Sequence, residues 1–150
     1  MQFSSKCTDI IKQFEGFRSE PYLDEEKVPT IGYGSTFYED GAHVKITDKP
    51  IDQNKALELL LYHLNIVVLP ELEKDIKVLL SQNQLDALGS LIYNIGTGNF
   101  RGSTLLRKIN RNESMDSIRD SWLIWHYDNH KPVDGLLKRR VLEFQLYTTK

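Results

Sequence analysis

Residues 15–36 read EGFRSEPYLDEEKVPTIGYGST, a stretch in which two acids and a hydroxyl, Glu15, Asp24 and Thr30, precede the run Gly32-Tyr33-Gly34. Hydrolysis of a glycosidic bond needs one protonated acid for the leaving oxygen. It also needs one ionised acid that steers a water or attacks the sugar directly. Glu15 and Asp24 are candidates for this pair, although either acid taken alone is typical of a solvated surface group.

The two acids are predicted to lie in unlike surroundings. Apolar residues at helical spacing predict an amphipathic helix that begins at Ser4 or Ser5 and stops at Gly16. The C-terminal end of this helix and its apolar face would both favour a protonated Glu15, which suits a proton donor. Asp24 begins a polar segment that predicts a solvated turn, where a carboxylate keeps its charge and can orient water.

The spacing of these three polar residues resembles the catalytic signature of the phage lysozymes, the endolysins of glycoside hydrolase family 24. Eight residues separate Glu15 from Asp24, five separate Asp24 from Thr30, and Ile31-Gly32-Tyr33-Gly34 follows. The resemblance covers nearly all of the chain, because it resumes at 84–88 (QLDAL), 93–96 (YNIG) and 102–106 (GSTLL).

This resemblance implies a muramidase that hydrolyses the β-1,4 bond between N-acetylmuramic acid and N-acetylglucosamine in bacterial peptidoglycan and so lyses the cell. It implies that Glu15 donates the proton, while Asp24 and the Thr30 hydroxyl hold a water on the opposite face of the sugar. Such a single displacement inverts the anomeric carbon. It places the carboxyl groups about 6.5 to 9.5 Å apart, against about 5 to 5.5 Å in a retaining enzyme. No cofactor is expected.

Six further residues are predicted to contact the sugar. Glycine lets the backbone approach a ligand, a tyrosine ring stacks on a pyranose, and an asparagine amide bonds an N-acetyl group. Each type also has a structural interpretation, as a strand-end bend, a strand threonine, or a core or cap residue. The six are Gly32, Gly34, Thr36, Tyr93, Asn94 and Thr104.

Two residues depart from the pattern of the family. Lys27 stands in the turn where the family usually has glycine, and Pro29 precedes Thr30. A lysine tolerates positive φ poorly, while a proline lacks a donor and pushes Val28 towards extended geometry. The turn is therefore expected to differ in shape, which bears on how Asp24 reaches the bond.

The order of predicted elements fixes the fold class. Short strands are predicted at 21–23 and 28–33, with a third at 44–46 after an Asp40-Gly41 turn. Helices follow without βαβ alternation, so the class is α+β, with a mainly helical lysozyme-like fold. The length of 150 residues, 40% of them hydrophobic, is typical of one domain with a sizeable core.

Caps and breakers mark the helices. Asp52 caps a long helix, and Pro70 is expected to end or kink it and to begin a short one. A capping box at Ser81 opens an apolar helix that Gly96 terminates, before a turn at 97–99. Later helices are predicted from Ser103 or Thr104 to Ile109, from Ser114 or Asp116 to Tyr127, and after Gly135. The single domain is expected to comprise an N-terminal lobe at about 1–50, a linking helix at about 52–69 and a helical lobe at about 70–150.

Charge, cysteine usage and the N-terminus bear on partners and location. A net charge of −2 argues against nucleic acid as a partner. Cys7 lies on the apolar stripe, which favours a buried inert thiol over a reactive one. The N-terminus has no apolar run long enough for a signal peptide or a membrane anchor. By resemblance, the enzyme would be made in the host cytoplasm and released by a separate pore-former to the wall in the periplasm; a monomer is expected.

Aromatic and histidine pairs near residue 125 have competing interpretations. Trp122 and Trp125 are predicted as core aromatics, with sugar stacking as the alternative. His126 and His130, with Asp128 between them, have helical spacing, yet a zinc site needs three ligands and an open position. A metal site is therefore not expected.

The run Lys138-Arg139-Arg140 predicts a solvated helix face. In the alternative, Arg140 forms a buried ion pair with Asp9 or Glu15, or an arginine contacts the carboxylates of the stem peptides.

Three other functions compete with the muramidase. A non-catalytic module that binds peptidoglycan, or a structural part with the same fold, is compatible with the altered turn at Lys27 and Pro29. An antibacterial effector or a prophage enzyme would share the chemistry and differ in its biological role. A lytic transglycosylase typically lacks the catalytic aspartate, so Asp24 argues against it.

Overall fold

The first helix carries Glu15 at its last turn. In the computed structural model, which describes residues 1–128 and 130–150, α1 spans Ser5–Glu15. The Ser4 side chain accepts a hydrogen bond from the backbone of Lys6, and Gly16, with φ of 68°, ends the helix. The predicted helix and both its boundaries are confirmed.

A two-stranded antiparallel sheet follows α1 and carries the turn with Asp24. Strand β1 spans Arg18–Leu23 and β2 spans Pro29–Gly32, and Tyr22 lies opposite Thr30. The third strand predicted at 44–46 is wrong. The backbone N–H of Lys45 donates to the Asp48 carboxylate at 2.8 Å, so this segment turns instead of extending.

The helix predicted after Asp52 is confirmed in position, but it is not uniform. Helix α2 spans Gln53–His63 with Asp52 as its cap, a π-helical segment covers Leu64–Val68, and α3 spans Leu69–Asp75. Pro70 was expected to end or kink the helix. It was also expected to begin a short helix, and it does lie in the first turn of α3, where no backbone donor is needed; the π-helical segment directly precedes α3.

The C-terminal part differs from prediction in two places. Phe100 is buried and belongs to a short helix where only a turn was predicted. The helix predicted to reach Tyr127 ends at Leu123, and residues 127–128 pair with residues 131–132. Asn129 lies outside the described residues. The elements are α4 Gln82–Ile95, α5 Thr97–Arg101, α6 Thr104–Asn110, α7 Met115–Leu123, β3 Tyr127–Asp128, β4 Lys131–Pro132 and α8 Asp134–Thr148.

Helix α4 is central, because α1 and α8 both pack against it. The predicted capping box at Ser81 and the stop at Gly96 are confirmed. Cys7 lies fully buried beside Gly89, as predicted, and burial raises the pKa of its thiol. Helix α1 thus packs with the C-terminal helices; the division into two lobes and a linking helix stays a prediction. The predicted α+β class, mainly helical with a small sheet, is confirmed.

Candidate active site

A cleft of about 670 Å³ lies where the end of α1, the β1–β2 turn, the end of α4 and the start of α8 come together. Glu15 and Asp24, which the sequence spacing paired, both line it. The other residues that line the cleft are Phe14, Glu25, Glu26, Asn94, Ile95, Asn99, Trp125, Tyr127, Asp128, Val133, Gly135, Leu136 and Arg139.

Glu15 is held by an arginine from the other end of the chain. Nη1 of Arg139 donates to Oε1 of Glu15 at 2.9 Å, and the Glu15 side chain is 23% exposed. The backbone of Gly34 approaches the other oxygen, since a Cβ on that residue would lie 2.9 Å from Oε2. The sequence predicted the helix end and an apolar face around Glu15, and it offered an arginine partner only as an alternative, through Arg140.

Asp24 is held by its own turn. Its Oδ1 accepts hydrogen bonds from the backbone N–H groups of Glu26 at 2.9 Å and Val28 at 2.8 Å. Lys27 adopts φ of 63°, in the left-handed region where the family usually has glycine. The turn thus closes around Asp24 despite the lysine.

The two carboxyl groups share one feature. In each, one oxygen is bound by the protein, Oε1 of Glu15 by Arg139 and Oδ1 of Asp24 by backbone. Within residues 1–128 and 130–150, no hydrogen bond engages Oε2 of Glu15 or Oδ2 of Asp24. Each carboxyl group is therefore oriented and still has one oxygen for a ligand in the cleft.

Thr30 lies behind the turn that carries Asp24. It is only 3% exposed, and its hydroxyl donates to the carbonyl of Val28 at 2.8 Å. The hydroxyl hydrogen is used there, while the oxygen lone pairs remain able to accept from a water. Thr30 is not among the cleft-lining residues of the described chain.

The predicted sugar-binding residues of the sheet region make contacts within the protein. Gly32 and Gly34 have φ of 68° and 88°, and they permit close approach to Ala56 and to Glu15 respectively. Thr36 accepts a backbone hydrogen bond from Val44 at 2.9 Å. A role for these three in sugar binding stays a prediction.

Of the predicted sugar-binding residues on the helices, one lines the cleft and two make contacts elsewhere in the protein. Asn94 lines the cleft, but Tyr93 packs its ring 5.0 Å from that of His63 and donates its hydroxyl to the carbonyl of Tyr33 at 2.7 Å. Burial raises the pKa of that hydroxyl. Thr104 is exposed at the start of α6 and accepts a hydrogen bond from Arg107 at 3.0 Å. Their contact with sugar stays a prediction.

The solvated helix face predicted for residues 138–140 is wrong for both arginines, which are buried. The alternative, a buried ion pair with Glu15, exists, but the arginine differs. Arg139, and not Arg140, contacts Glu15, while Arg140 lies fully buried against Glu143. One helical position separates the two residues, which turns the first towards α1 and the second towards the core. An acid four residues after Arg139 was the available signal for a buried network.

The cleft wall opposite Asp24 comes from the segment after α7. Trp122 is a core residue, as predicted, whereas Trp125 is half-buried, packs against the core and also lines the cleft. Asp128, by hydrogen bonding and by its charge, raises the pKa of Glu25. The acids after Asp24 are thus in contact with an acid of the segment after α7.

A family model and several known proteins match this chain. The family model for phage lysozyme matches residues 12–143. This chain belongs to the phage lysozyme family. The endolysin of Salmonella phage P22 is 40% identical over 147 residues, which cover 98% of each chain. The SAR-endolysin of Enterobacteria phage P21 is 35% identical over 132 residues, 88% of this chain and 76% of that protein.

Solved structures agree with the family assignment. A crystal structure of a P22 lysozyme variant matches with a TM-score of 0.85 and 38% identity, over 99% of each chain. The endolysin of Escherichia coli O157:H7 phage FAHEc1 matches with a TM-score of 0.86 and 35% identity, over 99% of this chain and 94% of that one. The predicted lysozyme-like fold is confirmed. No helix in the described ranges is long and apolar enough to cross a membrane.

Proposed function

We propose that Glu15 protonates the leaving glycosidic oxygen and that Asp24, with Thr30, positions the water that attacks the muramic acid carbon. The observation that carries the proposal is the shared cleft, in which each acid has one oxygen fixed and one oxygen free. Asp24 would take a proton from the water, and the Thr30 oxygen would accept the other hydrogen. Asn94 and Trp125 would contact the sugar from the helical side.

The activity itself follows from family membership. The chain is a lysozyme, a muramidase that hydrolyses bacterial peptidoglycan, and the non-catalytic alternative is not favoured. We propose further that it is made in the host cytoplasm, acts as a monomer, and reaches the wall in the periplasm after release. Light scattering after size exclusion would test the monomer.

Lysis of permeabilised Gram-negative cell walls by three proteins tests the proposed roles. Glu15→Gln should reduce the rate of turbidity loss by about 10² to 10⁴-fold, since a neutral amide cannot donate the proton. Glu20→Gln is the matched control, because Glu20 is an exposed acid on β1 that does not line the cleft. Its rate should equal that of the wild type.

Mass spectrometry of the released fragments identifies the reaction. Hydrated reducing muramic acid ends are expected from hydrolysis. Anhydro ends would indicate a transglycosylase, and a wall that is bound but not cut by the wild type would indicate a binding module. Full activity of Glu15→Gln would refute the assignment of the proton donor.

A further inference from the structure

Glu143 on α8 is a fully buried acid that the proposed reaction does not use. Its Oε2 accepts from the Ser90 hydroxyl at 2.5 Å, from Nε of Arg139 at 3.2 Å and from Nη2 of Arg140 at 3.1 Å. Its Oε1 accepts from the indole N–H of Trp122 at 3.3 Å and lies 2.8 Å from Nε of Arg140. A buried acid with so many partners is fixed in place.

Arg139 joins this acid to Glu15. Its Nε donates to Glu143, its Nη2 donates to the Ser90 carbonyl at 3.0 Å, and its Nη1 donates to Glu15 at 2.9 Å. Because a guanidinium is planar, these bonds determine which way Nη1 points. One positive charge therefore lies between two carboxyl groups, one in the core and one in the cleft.

We infer that Glu143 is a positioning residue for the reaction, acting through Arg139 on Glu15. The inference rests on the proposed role of Glu15 as proton donor. An arginine with no second acid would give its whole charge to Glu15 and favour the ionised carboxylate, which cannot donate. By sharing that charge and anchoring the guanidinium, Glu143 lets Glu15 be held by an arginine and still carry a proton.

Other groups also act on Glu15, and they differ from Arg139. Arg140 on α8, Tyr22 on β1 and Tyr93 on α4 interact with it through charge. Asp24 lines the same cleft. In the described part of the chain, only Arg139 hydrogen-bonds to both Glu15 and Glu143.

The test introduces Glu143→Gln into two backgrounds, each of which keeps one of the two arginines that contact Glu143. Arg140→Met keeps the contacts of Arg139 with both Glu15 and Glu143. In this background, Glu143→Gln should move the alkaline limb of the pH profile of kcat to lower pH by about one unit. KM should not change, because Glu143 is buried and cannot reach substrate. Arg139→Met removes the contacts that join Glu15 to Glu143. In this background, Glu143→Gln should not move the alkaline limb of the pH profile.

Thermal unfolding of all four variants establishes that each is folded at the assay temperature. A limb that does not move in the Arg140→Met background would overturn the inference. So would an equal movement in both backgrounds, since Glu143 would then act without Arg139. Glu15→Gln, measured in the same buffers, separates the two claims: if it keeps wild-type activity, the proposed function fails, whatever Glu143 does.

Discussion

The two walls of the cleft hold their carboxyl groups by different means. Glu15 is bound by Arg139, which is 124 residues away in the chain and belongs to a buried network of charges. Asp24 is bound by backbone N–H groups two and four residues further on, in an exposed turn. Removal of Arg139 on the α8 wall should therefore alter stability and activity together, whereas removal of the Asp24 charge at the turn should alter activity alone.

Arg139→Met should have the largest effect, because it disturbs both properties. It leaves Glu143 with one cation instead of two and leaves the Ser90 carbonyl without its donor. Loss of a buried partner costs about 3 kcal/mol in the free energy of unfolding. Denaturant titration measures this cost, and the lysis rate should fall as well. A variant with wild-type stability would contradict the account of the α8 wall.

Asp24→Asn should lower the lysis rate by about 10² to 10⁴-fold and leave the free energy of unfolding unchanged. The asparagine Oδ1 can still accept from Glu26 and Val28, so the turn should persist. Asp24→Ala serves as the comparison, because it loses the charge and these two bonds together. Asp24→Asn with full activity would exclude Asp24 from the reaction.

Prediction from the sequence succeeded for the elements whose structure is local. The cap at Ser4, the stop at Gly16 and the turn after Asp24 each depend on residues within a few positions. The resemblance of the Glu15, Asp24 and Thr30 pattern to the phage lysozymes then implied the chemistry, and family membership agrees with it.

The contact between α8 and Glu15 could not be predicted in the same way. Whether Arg139 or Arg140 faces Glu15 depends on the rotation of α8 against α1, which no local pattern specifies. The hairpin of β3 and β4 was missed because each strand has only two residues. Trp125 was expected in the core since the helix before it was predicted to be longer.

Gly34→Ala and Gly32→Ala form a matched pair that tests the contact behind Glu15. Both glycines have positive φ, so each alanine should cost about 1 to 2 kcal/mol in stability. Only a Cβ at Gly34 meets Glu15, at 2.9 Å from Oε2, whereas one at Gly32 meets Ala56. Gly34→Ala alone should therefore reduce the lysis rate, by about 10 to 100-fold. Equal rates for both variants would show that this contact does not position Glu15.

Lys27→Gly should have the smallest effect, confined to the stability of the turn. Glycine adopts φ of 63° without the steric cost that lysine bears, so the free energy of unfolding should rise by about 0.5 to 1 kcal/mol. Lys27→Ala removes the same side chain and keeps the strain, so it should not stabilise. Activity should be that of the wild type in both variants, and a large loss would mean that Lys27 itself contacts substrate.

The most direct test of the central claim is the configuration of the first product. Proton NMR of a peptidoglycan oligosaccharide during early turnover distinguishes the anomers before they equilibrate. If Glu15 protonates the leaving oxygen while Asp24 directs a water, the β bond should yield the α anomer first. Initial release of the β anomer would contradict the account, because Asp24 would then attack the sugar itself.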